Sequence, residues 1–224
     1  MVPRHDEVVF AEGGALRRSV WGEKSSAILR AEETPPERLA ATDSSLFVLQ
    51  RNVEGGSEIS LFASGALKKI YETTSSIATL SAKDDRAFFV EAKDENFRIV
   101  SATRGGRAVF GPEHPGRTPA ALAVSDSIYY YDGPRREVRR ISLELDAEQV
   151  VASDVVCSPL HVADRVYCAF PGSITAIGLN NPSKVDLEVH ARGPITALTT
   201  FEDRLLWIED AGAERLVVKS LPLE

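Results

Sequence analysis

Tyr129, Tyr130 and Tyr131 stand just ahead of Arg135, Arg136, Arg139 and Arg140 in the stretch SIYYYDGPRREVRRISL, residues 127–143. Aromatic rings beside guanidinium groups could stack on bases and clamp phosphates, or form a ledge for a sugar. The chain as a whole speaks against the first use. It carries a net charge of −7, and a phosphate backbone calls for concentrated positive field. No nucleic-acid partner is expected.

Other chemistry is sparse. The four histidines, His5, His114, His161 and His190, form no close ligand pair, and there is neither a Cys-x-x-Cys pair nor an Asp-rich calcium loop, so no metal site is expected. A Gly-x-Ser-x-Gly elbow and a Gly-rich phosphate loop are missing as well, so no catalytic residue is nominated and no motif asks for a cofactor. Cys157 and Cys168 are different. They lie on either side of the turn Ala163-Asp164-Arg165, so antiparallel segments around that turn would bring them within reach of a cross-strand disulfide. The alternative is a pair of buried free thiols behaving as small apolar side chains.

The elements that must position these residues follow from a repeat. Apolar runs begin at Val8, Leu46, Ala87, Ile128, Val166 and Leu205, separated by 38, 41, 41, 38 and 39 residues. Each follows a polar turn: HDE, DSS, KDDR, SDS, ADR and EDR. A strand-like segment precedes nearly every run, for example Ile77-Ala78-Thr79-Leu80, and two more follow, as Glu58–Phe62 and Leu67–Tyr71 do. Consecutive apolar residues in the second segment require cover on both faces, whereas Val185, Leu187 and Val189 alternate with Asp186, Glu188 and His190 in a fourth segment wetted on one side. Sustained helical periodicity is absent, and AEETPPER is broken by Pro35 and Pro36.

Six such units predict an all-β chain, a six-bladed β-propeller of four-stranded antiparallel blades. A chain of 224 residues, 43% of them apolar, is expected to form a single domain over 1–224, with units starting near 1, 37, 76, 119, 158 and 194. Completeness of the first and last blades stays open. Either MVPRH closes the last blade or that blade lacks a strand.

IYYYDGPRREVRRISL resembles the YWTD repeat, in which a tyrosine, an aromatic and an aspartate lead through a turn to a Val-x-Arg-x-x-Leu strand. VYCAFPGSITAIGL is similar to the quinoprotein-like form, an apolar strand, a short Gly turn and an Ile-Thr-Ala-Ile strand. Together the units resemble bacterial six-bladed propellers with degenerate YWTD, TolB-like and quinoprotein-like repeats. That likeness implies a fold and leaves the ligand open.

In such a fold the loops joining second to third strands, and each fourth strand to the next first strand, share one face, and loops on a rigid scaffold carry binding residues. The expected face includes Arg51–Glu54, Lys93–Asn96, Asp132–Arg136 and a long connection from Gly111 to Thr118. Its ligand candidates are Glu113, His114, Arg117, Asp132, Arg135 and Arg136. The expected function is non-catalytic: a sensor or recognition module for a protein, peptide or envelope component. Two alternatives are a propeller hydrolase or lactonase with a metal or carboxylate site in the channel, and an intracellular scaffold. No apolar run is long enough to span a bilayer, and MVPRHDEVVF lacks the basic start and apolar core of a secretory leader. The cysteine pair and the resemblance nonetheless set a periplasmic or extracellular expectation, with a cytoplasmic one as its alternative.

Overall fold

The computed structural model describes residues 2–4, 7–12, 14–20, 27–31, 34–119, 121–170, 172–179, 184–187, 189, 191, 193–201, 203–210, 212 and 216–223. These form two compact units, Met1–Thr118 and Pro119–Glu224. All regular structure among them is β, in six consecutive antiparallel meanders.

In the first unit, β1 (Val2–Arg4), β2 (Glu7–Glu12), β3 (Ala15–Val20) and β4 (Ala27–Ala31) make one sheet. A second comprises β5 (Pro36–Ala41), β6 (Leu46–Arg51), β7 (Ser57–Ala63) and β8 (Ala66–Thr73). The third comprises β9 (Ser76–Lys83), β10 (Arg86–Lys93), β11 (Asn96–Thr103) and β12 (Ala108–Pro115). In the second unit, β13 (Leu122–Val124), β14 (Ile128–Asp132), β15 (Glu137–Ile141) and β16 (Glu148–Ala152) form the fourth sheet. The fifth has β17 (Leu160–Val162), β18 (Arg165–Phe170), β19 (Ser173–Gly178) and β20 (Lys184–Leu187). The sixth has three strands, β21 (Ile195–Phe201), β22 (Arg204–Asp210) and β23 (Leu216–Pro222). The fold class is the six-bladed β-propeller that the repeat predicts. Val2–Arg4 pairs with β2 in the first sheet rather than serving as a strand of the sixth.

Packing explains the uninterrupted apolar runs. On β6, Leu46 and Val48 join Val9 and Leu16 of the first sheet, while Phe47 and Leu49 turn the other way onto Ala87, Phe89 and Val100 of the third. On β18, Val166 and Cys168 pack with Tyr129 and Val138, and Tyr167 and Ala169 pack with Ile195 and Trp207. A strand's period of two thus feeds two separate cores, and each fully buried Phe or Leu contributes about 1.5–3 kcal/mol. First strands touch one another, β1 to β5 to β9 in one unit and β13 to β17 to β21 in the other. The fourth strands are partly wet, with Ile28, Phe110, Val150 and Val185 exposed.

Several boundaries differ from those expected. The Gly111–Thr118 segment is not all loop: β12 continues to Pro115, pairing Arg98 with Glu113, Phe97 with His114 and Asn96 with Pro115. One extra residue is absorbed between Phe110 and Glu113 opposite Arg98 to Val100, which lets Gly111 and Pro112 remain in a strand. The third strand of the fourth sheet stops at Ile141. Ser142–Ala147 forms a turn, with Leu145 at φ 65° donating its N–H to the Ser142 carbonyl, so the alternation of Ile141, Leu143 and Leu145 does not mark a strand. Leu145 is nevertheless buried. His5, Glu188 and His190 lie outside the described residues.

Candidate functional site

A polar residue stands at the fifth position from the start of the apolar run in five of the six units. Gln50, Glu91, Asp132 and Glu209 occupy it, and all four are buried. Burial of a carboxylate requires partners, and each has them. Gln50 donates from Nε2 to the Thr34 carbonyl at 2.6 Å. Asp132 binds Arg135 at 2.7 Å and caps its own hairpin by accepting the Arg135 N–H. Glu209 pairs with Lys219 at 2.7 Å and accepts from the Trp207 indole at 2.9 Å. In the fifth sheet the position falls to Phe170, which is exposed.

Glu91 is the most elaborately held. Its Oε1 accepts from the hydroxyls of Tyr71, at 3.1 Å, and Thr73, both delivered by β8 of the preceding sheet. Its Oε2 accepts from Nε and Nη2 of Arg98 on β11, each at 2.6 Å. Arg98 in turn lies 4.3 Å above the Phe110 ring, and Tyr71 packs on Phe89 at 4.8 Å. Burial opposes the Arg98 charge, but the hydrogen bonds and attraction of Glu91 outweigh it and raise its pKa. Burial, reinforced by the Glu91 carboxylate, pushes the Tyr71 phenol up to about 12. This network ties two sheets together beneath a cleft.

That cleft, of about 110 Å³, is lined by Ser75, Glu91, Lys93, Asn96, Phe97, Arg98 and Glu113. Ser75 sits in the turn from β8 to β9, Lys93 and Asn96 bracket the β10–β11 hairpin, and Glu113 reaches in from β12. It therefore opens at the end of the sheet where second-to-third and fourth-to-first connections meet. Glu113 lines it directly. His114, on the opposite face of the strand, stacks on Phe97 at 5.1 Å, and Arg117 is exposed just beyond the strand end. Composition could not single out Glu91, Arg98, Tyr71 and Thr73. The usable signal was the acidic or amide residue closing all but the fifth apolar run.

The second unit uses its candidates differently. Asp132 is consumed by Arg135 and by the hairpin turn, and Arg136, exposed at φ 55°, has its backbone fixed by the Gly133 carbonyl and the Val155 N–H. The tyrosine run is core. Tyr129 donates to Asp126 at 3.2 Å, Tyr130 to Glu148, and Tyr131 to the Val155 carbonyl at 3.1 Å, so two of the three hydroxyls reach carboxylates. Arg139 pairs with Glu137 of its own strand, β15, and with Glu148 of β16. Cys157 and Cys168 are bonded, with Cα atoms 4.6 Å apart and both side chains buried among Val162, Val166 and Leu160. His161 on β17 lies 3.1 Å from the Thr200 hydroxyl on β21, and burial lowers its pKa. Among the described residues no group of three or more His, Cys, Asp or Glu stands close enough to hold a metal ion, and no helix is long and apolar enough to cross a membrane.

Burial raises the pKa of all five tyrosines, Tyr167 to about 12. A raised phenol pKa supports the fold below the ordinary value of 10, and that support is lost as pH climbs from 10 through the folded values. In an alkaline titration, tyrosinate absorbance should stay flat past pH ~10 and then rise together with loss of β circular dichroism. Independent ionisation of several tyrosines near pH ~10 in the folded protein would contradict their burial.

No protein-family model matches the chain, and no curated protein matches it. Solved structures do. A nidogen/laminin complex aligns at 13% identity with a TM-score of 0.67, covering 90% of this chain and 84% of that one. The computationally designed protein Ika8 aligns at 14% and 0.66, over 97% and 68% respectively. The Pan2 WD40 domain of Neurospora crassa aligns at 14% and 0.61, over 85% and 63%. At these identities the likeness shows the fold, a β-propeller.

Proposed function

We propose that the chain is a non-catalytic binding module whose loop-end cleft in the first unit takes a segment of a protein or peptide. The observation that carries this reading is the cleft itself: polar heads from two connections and one strand converge over a fixed Glu91–Arg98 floor, on hairpins rather than inside a core. A rigid floor under adaptable polar ends suits recognition of extended chain, because the Glu91–Arg98 pair is already ordered and loses little further entropy on binding. The similar nidogen/laminin structure, a complex of two proteins, supports the class of partner. The Cys157–Cys168 bond supports an extracytoplasmic setting, an envelope or secreted protein in which the module acts as a sensor.

Selection from a random linear peptide library tests the site. Binders should lose ~10-fold or more in affinity for the Lys93→Glu/Glu113→Lys double variant, which leaves the Glu91–Arg98 floor in place. Binders indifferent to the double variant would remove the cleft from the function.

A further inference from the structure

Donors and acceptors in the cleft do not balance, and the surplus identifies a ligand group. Glu91 accepts from Tyr71, from Thr73 and twice from Arg98, which fills the roughly four lone-pair sites of a carboxylate. Its charge is therefore spent on the floor and is not offered to a ligand. Arg98 engages Glu91 through Nε and Nη2 and also interacts with the Tyr71 hydroxyl, and its guanidinium has about five N–H donors in a planar fork, so donors remain beyond these contacts. Roughly a third of that side chain is exposed, at 32%. Stacking over Phe110 and the bond to Glu91 hold the fork in one plane, so its geometry is set before a ligand arrives.

Around it stand Lys93, Asn96 and Ser75, whose side chains make no hydrogen bond among the described residues. Lys93 contributes donors only, Asn96 and Ser75 contribute donors and acceptors, and Glu113 alone is purely an acceptor, exposed on the rim. Among the lining residues Lys93 and Arg98 offset Glu91 and Glu113, so a negative group entering the cleft meets a lining without net charge, although Asp94 and Glu95 stand at the tip of the same hairpin. A planar, acceptor-rich anion answers an oriented guanidinium fork with a lysine beside it better than any neutral group does.

We propose that the cleft binds a carboxylate of the bound peptide, set in the plane of Arg98 and closed over by Lys93 and Asn96, with Glu113 accepting an N–H from the same segment. This deepens the peptide-binding reading and rests on it. The carboxylate has two sources, an Asp or Glu side chain or the C-terminus of the ligand chain, and both present the same group.

The test is an amide and arginine Nε nuclear magnetic resonance titration of the whole chain with four capped probes. One has an internal aspartate and an amidated end, Ac-Gly-Gly-Asp-Gly-Gly-NH2; one has a free C-terminus, Ac-Gly-Gly-Ala. Their neutral partners carry Asn for Asp or an amidated end. The expected result is saturable shifts at Ser75, Lys93, Asn96 and Arg98 in the ~1–10 mM range with a carboxylate probe and none with its neutral partner. The arm that responds identifies the source. Lys93→Glu should weaken that response ~10-fold without moving the urea midpoint, and Arg98→Lys, which keeps a cation against Glu91, should weaken it too. Equal responses to carboxylate and neutral probes, or none to any, overturn the carboxylate assignment. If library-selected peptides still depend on Lys93 and Glu113 in that case, the binding face stands and only its ligand group is wrong.

Discussion

Arg98→Met should destabilise the first compact unit by about 3–5 kcal/mol, because it strands Glu91 as a buried and uncompensated carboxylate. Glu91 is only 3% exposed. The cost should fall in the lower part of that range, since Arg98 itself is 32% exposed and water can follow it in. Glu91→Gln combined with Arg98→Met should recover much of the loss: the charge is gone, while an amide oxygen still accepts from Tyr71 and Thr73. The two changes therefore should not add, and a coupling of ~2 kcal/mol or more in the double-mutant cycle is expected from urea unfolding followed by circular dichroism. If Arg98→Met cost under about 1 kcal/mol, the pair would be a surface contact and the cleft would have no fixed floor.

Loss of the disulfide is the second large effect. Cys157, just ahead of β17, and Cys168 in β18 are 11 positions apart, so opening the bond should cost about 2–3 kcal/mol through the freedom returned to the unfolded chain. Both side chains are buried, so Cys157→Ala/Cys168→Ala adds a small packing loss. For a chain of this size that is a fall in melting temperature of roughly 5–10 °C. Reducing the native protein should reproduce most of the fall, and the Ala variant should then be insensitive to reductant. Equal melting of oxidised and reduced protein would contradict a stabilising role for the bond.

Much of the fold is legible in the sequence because second strands carry a pattern few alternatives can satisfy. Phe47 and Leu49 face one core while Leu46 and Val48 face another, so four consecutive apolar residues were required and their recurrence gives the period. Strand ends are less legible. Gly111 and Pro112 read as loop residues, yet an extra residue opposite Arg98 to Val100 keeps them in β12; Leu143 and Leu145 alternate like a strand, yet belong to a turn. In both places pairing or a single positive φ overrides local residue preference.

The candidate site was half legible. Glu113 reaches the cleft for a reason composition did not supply, its strand pairing with Arg98. Asp132 and Arg135, ligand candidates on the expected loop face, bind each other, because a buried aspartate at a hairpin corner satisfies the local N–H and the nearest guanidinium first. Glu91 and Arg98 looked ordinary in sequence. They are seven residues apart and face each other only across the β10–β11 hairpin. The same register position holds Gln50, Asp132 and Glu209, so the repeat, read at the fifth position of its runs in all but the fifth unit, contained the signal.

Backbone hydrogen exchange in the presence and absence of a library-selected peptide tests the placement of the site most directly. Protection confined to residues 93–98 and 113–117, with the turn at Ser75, is the expected result. Protection confined to the hairpins of the second unit, such as 132–137 or 170–173, with residues 93–98 unchanged, would contradict the assignment of binding to this cleft.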